Sequence, residues 1–413
     1  MLSPYRVLDL TTDRGLLCGQ VLGDMGADVI KIEPPGGSPA RRLGPFFKDE
    51  RNPNASLYWW AYNRNKRSVT LDIERDEGRE LLRKLASGAH FFVESFNPGF
   101  LAERGLGYSH LSAINPALIY VSITPFGQDG PKASYADSDL VILAAGGPLI
   151  LTGDEDRPPV RCTVPQAYAH ASADAAVGAL VAHHERVRSG LGQQVDVAAQ
   201  QSVAMATQSG ILGAAVGAAD SHRMAGGIKA GPLEIPLVWP ARDGYVSLLF
   251  LFGSALGVFT RKLMQYLCEQ KLCDEATRDK DWIGYGELLA TGKEPLAEFN
   301  RVKGIVRAFT RSHTKAELLQ LALERGFLIA PITTTAEVVD SPQLAAREYW
   351  QPVEHPELGR AFRYPGAFAK FSASPLRYRR RPPLVGEHNR EIYGGELGIG
   401  DGQLAALARK GII

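Results

Sequence analysis

Cysteine is scarce in this chain: four residues in 413, Cys18, Cys162, Cys268 and Cys273, none of them at CxxC spacing. That excludes a disulfide framework and gives no zinc-finger or zinc-ribbon pattern. The expectation is free thiols in a reducing, cytoplasmic setting, with no metal. Neither sign of charge is in excess, with 46 Lys plus Arg against 45 Asp plus Glu. Such a balance offers no electrostatic footprint for nucleic acid or for an anionic membrane. No apolar run reaches the roughly 20 residues of a transmembrane helix. Met1-Leu2-Ser3-Pro4-Tyr5-Arg6 leads directly into a strand, so no signal peptide is expected. GxGxxG is also missing, which removes the standard dinucleotide site.

The chain is 45% hydrophobic, enough for one large domain or two. Its organising stretch is residues 160–197. A β-branched run ends at Pro165, and an alanine-rich helix follows to about Arg188. Ser189-Gly190-Leu191-Gly192 stops it, and Gln194-Val195-Asp196-Val197 begins a strand. This reads as a β–α–β unit of an open α/β sheet. Residues at a strand-to-helix handover lie on the carboxyl edge of such a sheet, where ligands bind. Here they are Gln166, Tyr168 and His170.

Before that stretch, strands are expected at Val7-Leu8-Asp9-Leu10, 28–33, 69–72, 91–94 and 118–123. Helices are expected at 15–25, at 75–87 with Leu81, Leu82 and Leu85 on one face, and at 140–147. Arg41 and Arg42 stand behind the rigid loop Pro34-Pro35-Gly36-Gly37-Ser38-Pro39, where arginines can hold a phosphate; a solvated basic turn explains them equally well. Asn63-Arg64-Asn65-Lys66-Arg67-Ser68, three positive charges and two amides beside a strand, again suits a phosphorylated ligand. After the stretch, residues 200–218 read as a close-packed helix, 220–232 as a loop, and 237–249 as a hairpin about Arg242-Asp243-Gly244. Residues 255–325 are mostly helical and mark a second, smaller domain. Arg377-Tyr378-Arg379-Arg380-Arg381 reads as a solvated basic segment.

Several motifs recur in a fixed order. They are Val7-Leu8-Asp9-Leu10, Leu22-Gly23-Asp24-Met25-Gly26-Ala27-Asp28-Val29-Ile30-Lys31-Ile32-Glu33-Pro34-Pro35-Gly36, and Asn65-Lys66-Arg67-Ser68-Val69-Thr70-Leu71-Asp72. Phe126-Gly127-Gln128-Asp129-Gly130-Pro131, Gly190-Leu191-Gly192-Gln193 and Pro383-Leu384-Val385-Gly386-Glu387-His388 follow. In this order the sequence resembles the family III CoA-transferases over almost its whole length. The resemblance implies an α/β fold, with a Rossmann-like large domain, a smaller α/β domain and an interlocked dimer. Residues 1–218 would form the N-terminal part of the large domain, 219–335 the small domain with linkers, and 336–413 a return to the large domain. It implies coenzyme A or an acyl-CoA as substrate, with no permanently bound cofactor, and a carboxylic acid as the second substrate. Leu71, Phe96, Asn97 and Arg104 fall where the family holds the adenine and phosphates of CoA. Arg41 and Arg42 are further positions of that kind, and Asp139 lies at another ligand position of the family, where it is an alternative carboxylate for the chemistry.

One departure dominates. The family's transferases use an aspartate at the start of the central helix as nucleophile, and an ionised carboxylate suits that work because its anhydride can be reopened. Counted from either side without a gap, that position is Tyr168, whose hydroxyl is ordinarily neutral at pH 7. Asp174 is six residues along the helix and points elsewhere, while His170 reads as a surface or satisfied histidine. The family's racemase branch needs a histidine where Ser138 stands, and Asp13-Arg14 replaces a neutral pair near the pantetheine. Of the covering glycine loop, Gly226-Gly227 is the nearest pair. The resemblance then implies a subunit without its own nucleophile, paired with a homologous aspartate-bearing subunit as in benzylsuccinate CoA-transferase. Alternatives are a homodimeric acyl-CoA isomerase, hydratase or hydrolase using Tyr168, and a non-catalytic CoA-binding protein.

Overall fold

The computed structural model describes residues 1–218, 223–230 and 232–413. The chain divides into two compact units, Met1–Leu149 with Arg161–Leu212 and Pro342–Ile413, and Ile150–Val160 with Gly213–Ser341.

The first unit is an α/β fold built on a six-stranded parallel sheet, order β3-β2-β1-β4-β5-β6. In chain order the strands are β1 (Arg6–Asp9), β2 (Asp28–Glu33), β3 (Lys66–Thr70), β4 (Phe91–Glu94), β5 (Ile119–Thr124) and β6 (Gln194–Ala198). β4 and β5 are buried at every position, the mark of a parallel sheet covered on both faces. One face packs against Leu81, Leu82 and Leu85 of a helix at Asp76–Ser87 and against the C-terminal residues Ile392, Tyr393 and Leu407. The other packs against helix α1 (Leu16–Asp24) and a 23-residue helix α3 (Ala167–Ser189), through Ala167, Ala171, Ala175, Ala179 and Ala182. Small side chains at this spacing let the long helix lie close to the sheet. It ends at Gly190, whose φ of 76° is the left-handed C-cap that glycine adopts without strain.

The structure corrects the organising stretch in one respect. Residues 160–166 form no strand. The strand feeding the long helix is β5, and helix α2 (Asp139–Gly146) lies between them. The β-branched run at 160–164 is exposed, so it has no sheet face to bury. Residues 200–218 also differ from expectation. They are two short helices, and the second, Gln208–Ala215, buries none of its residues within this chain.

The second unit carries an antiparallel hairpin of β7 (Gly227–Ala230), which falls in the stretch 220–232 read as a loop, with β8 (Leu233–Pro236) just after it; Asp220–His222 and Gly231 of that stretch lie outside the described residues. A three-stranded antiparallel sheet follows, of β9 (Val238–Ala241), β10 (Gly244–Leu248) and β11 (Ile329–Ile332). Helices at Gly253–Glu269, Leu296–Ser312 and Lys315–Arg325 close an aromatic core of Trp239, Phe250, Trp282 and Phe299. Segment Ile150–Val160 clusters with this unit, whereas the sequence reading left it in the large domain.

Candidate functional site

β1 has β2 on one side and β4 on the other, so the strand order reverses between β1 and β4. Ligands of open α/β sheets bind outside the carboxyl ends of the strands at such a switch point. The loops leaving β1 and β4 form its walls. The β1 loop is anchored from below. Asp9 is fully buried between the ammonium groups of Lys31 and Lys66, at 3.0 and 2.8 Å. Its Oδ1 accepts from the Thr11 amide at 3.0 Å and the Thr11 hydroxyl at 2.6 Å. Burial works against the ionised carboxyl, yet the two ammonium groups outweigh it and hold Asp9 well below the usual carboxylate range. Gly19 of α1 packs on this carboxylate so closely that a Cβ would lie 2.2 Å from Oδ2. The β4 loop is tied to the β1 loop by the Thr12 amide, which donates to Ser95 Oγ at 2.8 Å.

Above this base four side chains meet. The Tyr168 hydroxyl, in the first turn of α3, donates to Asp137 Oδ2. Arg14 donates through Nη2 to Asp137 Oδ1 at 2.5 Å and through Nη1 to Asn97 Oδ1 at 2.9 Å. The Asp137 side chain is only 7% exposed. Burial, reinforced by the bond to Asp137, pushes the Tyr168 phenol far above its ordinary pKa. In this arrangement the Tyr168 oxygen is the donor and Asp137 the acceptor. Asp139 serves the helix itself. Its Oδ1 accepts from the Gln166 and Ala167 amides at 2.6 and 2.8 Å, capping the helix N-terminus with a carboxylate. Asp139 Oδ2 is buried and has no hydrogen-bond partner among the described residues.

The remaining candidates divide. Phe96 stacks on Phe100 at 4.7 Å. Arg104 lies 3.7 Å over the Phe100 ring and forks onto Glu74 at 3.0 to 3.1 Å. Leu71 is buried in the core, so its side chain belongs to the scaffold. Arg41 is 1% exposed, holds Glu33 through two nitrogens at 2.6 and 2.8 Å, and lies on Trp59. It is a scaffold residue, which corrects its reading as a phosphate ligand. Arg42 is exposed, and it lines an open cleft of about 860 Å³ with Arg51 and Asn52, which the buried Arg41 also borders.

The cluster at 63–68 is corrected too. Arg64 pairs with Asp24, Lys66 with Asp9, and Arg67 with Asp28, Glu391 and Glu396. Each cation meets an acid from another part of the chain, a pairing no local pattern reveals. In the basic run near 380, Arg377, Arg379 and Arg380 are exposed, as expected of a surface segment, although Arg379 also donates to the Gly23 and Ala27 carbonyls and Arg381 pairs with Glu357 and Glu387.

Sequence reasoning passed over Asp137 and Glu94. Glu94, at the end of β4, is 4% exposed and lines a cavity of about 240 Å³ with Asn97, Tyr108, Tyr120, Gln128 and Gln194. Its Oε2 accepts from the Phe96 amide at 2.7 Å. Burial, with Asp196 nearby, pushes its carboxyl up to about 7. The glutamate closes an apolar strand, and that was its signal. Among the described residues no group of three or more His, Cys, Asp or Glu could hold a metal ion, and no helix is long and apolar enough to cross a membrane.

Comparison with known proteins supplies the deciding observation. The model of CoA-transferase family III matches residues 2–389. The chain belongs to this family. As a family III member it is 36% identical to subunit BbsE of succinyl-CoA:(R)-benzylsuccinate CoA-transferase from Thauera aromatica, over 94% of this chain and 93% of that one. It is 34% identical to succinyl-CoA–D-citramalate CoA-transferase of Chloroflexus aurantiacus, over 100% and 98%. Among solved structures, a CAIB/BAIF family protein from Brucella suis matches with a TM-score of 0.80 at 30% identity, covering 95% of this chain and 98% of that one. The Thauera and Chloroflexus relatives are named as CoA-transferases, so the chain is read as an enzyme of that class.

Proposed function

We propose that this chain is the subunit of a family III CoA-transferase that lacks the nucleophile, working beside a homologous aspartate-bearing subunit. The reaction moves CoA from an acyl-CoA such as succinyl-CoA to a carboxylic acid. The observation that carries this reading is Tyr168. It stands in the first turn of α3 with its proton held, donating to Asp137. An oxygen in that state neither attacks a thioester nor leaves a reopenable anhydride. The hydroxyl is turned onto Asp137, and a phenol pushed up in pKa is a weak acid, which speaks against Tyr168 as a general acid in a stand-alone isomerase or hydratase. The 36% identity to a transferase subunit adds support.

CoA would lie over the β4 loop, with Phe96, Asn97 and Arg104 near the nucleotide and Arg42 offering a cation to a phosphate. Apolar faces that the chain leaves uncovered fit a partner of the interlocked kind. Val177 and Val181, one turn apart on α3, and Ile211 and Leu212 are all more than half exposed. The test is to express the chain alone and together with an aspartate-bearing homologue, and to follow CoA transfer from succinyl-CoA. Transfer is expected only from the pair. Full activity from this chain by itself overturns the proposal.

A further inference from the structure

The same crevice contains an ion pair that the division of labour above does not require. Arg14 comes from the β1 loop, Asn97 from the β4 loop, Asp137 from the segment between β5 and α2, and Tyr168 from α3. Their hydrogen bonds run Asn97–Arg14–Asp137–Tyr168 without a break. The Arg14 guanidinium also lies 5.9 Å from the Tyr168 ring centre. The chain of contacts therefore spans the switch point from wall to wall, and both Asp137 oxygens are taken.

We infer that Arg14, Asp137 and Tyr168 together fill the acyl end of this crevice, so that restoring an aspartate at 168 alone does not restore acyl transfer. This rests on the proposed reading of Tyr168 as the nucleophile position. Two physical reasons support it. A phenol reaches past the place where an aspartate side chain ends, and here its far end meets Asp137. Replacing it with a carboxylate would set that carboxylate facing Asp137, with Asp139 capping the same helix. Neighbouring carboxylates favour the protonated, unreactive form of one another. Arg14, the cation bonded to Asp137, would pair with the newcomer or stay with Asp137. Pairing would tie up the oxygen lone pairs that must attack the thioester carbonyl.

The balanced step makes the test direct. A free carboxylate at 168 attacks the carbonyl of succinyl-CoA and CoA thiolate leaves. The thiolate then attacks the enzyme's side of the anhydride, and succinate leaves. The product is an enzyme–CoA thioester, seen as a CoA-sized mass increase that hydroxylamine removes. The full chain would be compared as Tyr168→Asp and as Tyr168→Asp with Arg14→Gln and Asp137→Ala, each incubated with succinyl-CoA. Removing both members of the pair leaves no unpaired charge behind. If the alanine version does not fold, Asp137→Ser replaces it. The triple variant is expected to carry at least about tenfold more adduct than the single one, a factor worth one step in rate on the usual scale. Equal labelling of the two overturns the inference. So does labelling of neither when calorimetry shows that both bind CoA. Failure of the wild type and every variant to bind CoA removes the CoA reading itself, and the inference with it.

Discussion

Two ionic clusters of nearly the same composition lie a few residues apart along the β1 strand and loop. Asp9 with Lys31 and Lys66 is sealed beneath the carboxyl edge of the sheet, and all three side chains are fully buried. Arg14 with Asp137 stands at that edge, with the guanidinium 24% exposed. The lower cluster finds every partner in the scaffold: Thr11, Leu16 and Asn63 complete its hydrogen bonds. The upper one bridges three separate loops and a helix end. Depth below the sheet edge, not residue type, separates scaffold from site. The sharpest way to break this contrast is Asp9→Asn. It leaves two buried ammonium groups without a counter-charge, a change that costs about 3–5 kcal/mol or more. Urea unfolding should show the loss, or no folded protein at all. The Arg14→Gln/Asp137→Ala pair should shift the midpoint far less.

The two clusters also frame a pH comparison with Glu94, the other buried carboxyl near the site. Asp9 is held well below the ordinary 3.8 of an aspartate. Its contribution stands above the pKa of the unfolded carboxyl and is lost only as pH falls below it. Glu94 has the opposite sign. Its folded pKa of about 7 lies above the ordinary 4.5 of a glutamate, so the unfolded form ionises first as pH rises. Stability should therefore fall across pH 4.5 to 7, by up to about 3 kcal/mol at 1.36 kcal/mol per unit. Denaturation midpoints measured across that window would show the slope, and Glu94→Gln should flatten it. An unchanged slope in Glu94→Gln would assign it to another group.

Much of the scaffold was legible because the strands are short, apolar and closed by glycine or charge. β2 and β4 fall at the expected bounds, and the long alanine-rich helix runs from Ala167 to Ser189. What could not be read was pairing at a distance. Arg41 and Arg42 are neighbours in sequence, yet one is buried and locked on Glu33 and the other is exposed. Lys66 and Arg67 looked like phosphate ligands because Asp9, Asp28, Glu391 and Glu396 are far from them along the chain. Asp137 carried no local pattern at all; only the fold brings it to Tyr168. The strand expected before Pro165 failed for a related reason, since β-branched residues form strands only where a sheet face buries them.

Asp139 lies on the boundary between the two kinds of region, and it gives the smallest and most discriminating effect. As a cap it satisfies two amides of α3, the helix that carries Tyr168. As a ligand group it would act through Oδ2, which is buried without a hydrogen-bond partner among the described residues. Asp139→Ala removes both roles and should cost about 1 kcal/mol, within the range for losing an N-cap. Asp139→Asn keeps an oxygen that can accept from the Gln166 and Ala167 amides, so the cap survives with only the charge term lost, about 0.3–1 kcal/mol. The amide nitrogen then replaces the free oxygen. If Asp139 belongs to the scaffold alone, calorimetric affinity for CoA is unchanged in Asp139→Asn although the melting temperature drops slightly. If Oδ2 takes a donor from the ligand, CoA affinity falls in Asp139→Asn as far as in Asp139→Ala, because a donor facing a donor is no better than an empty site.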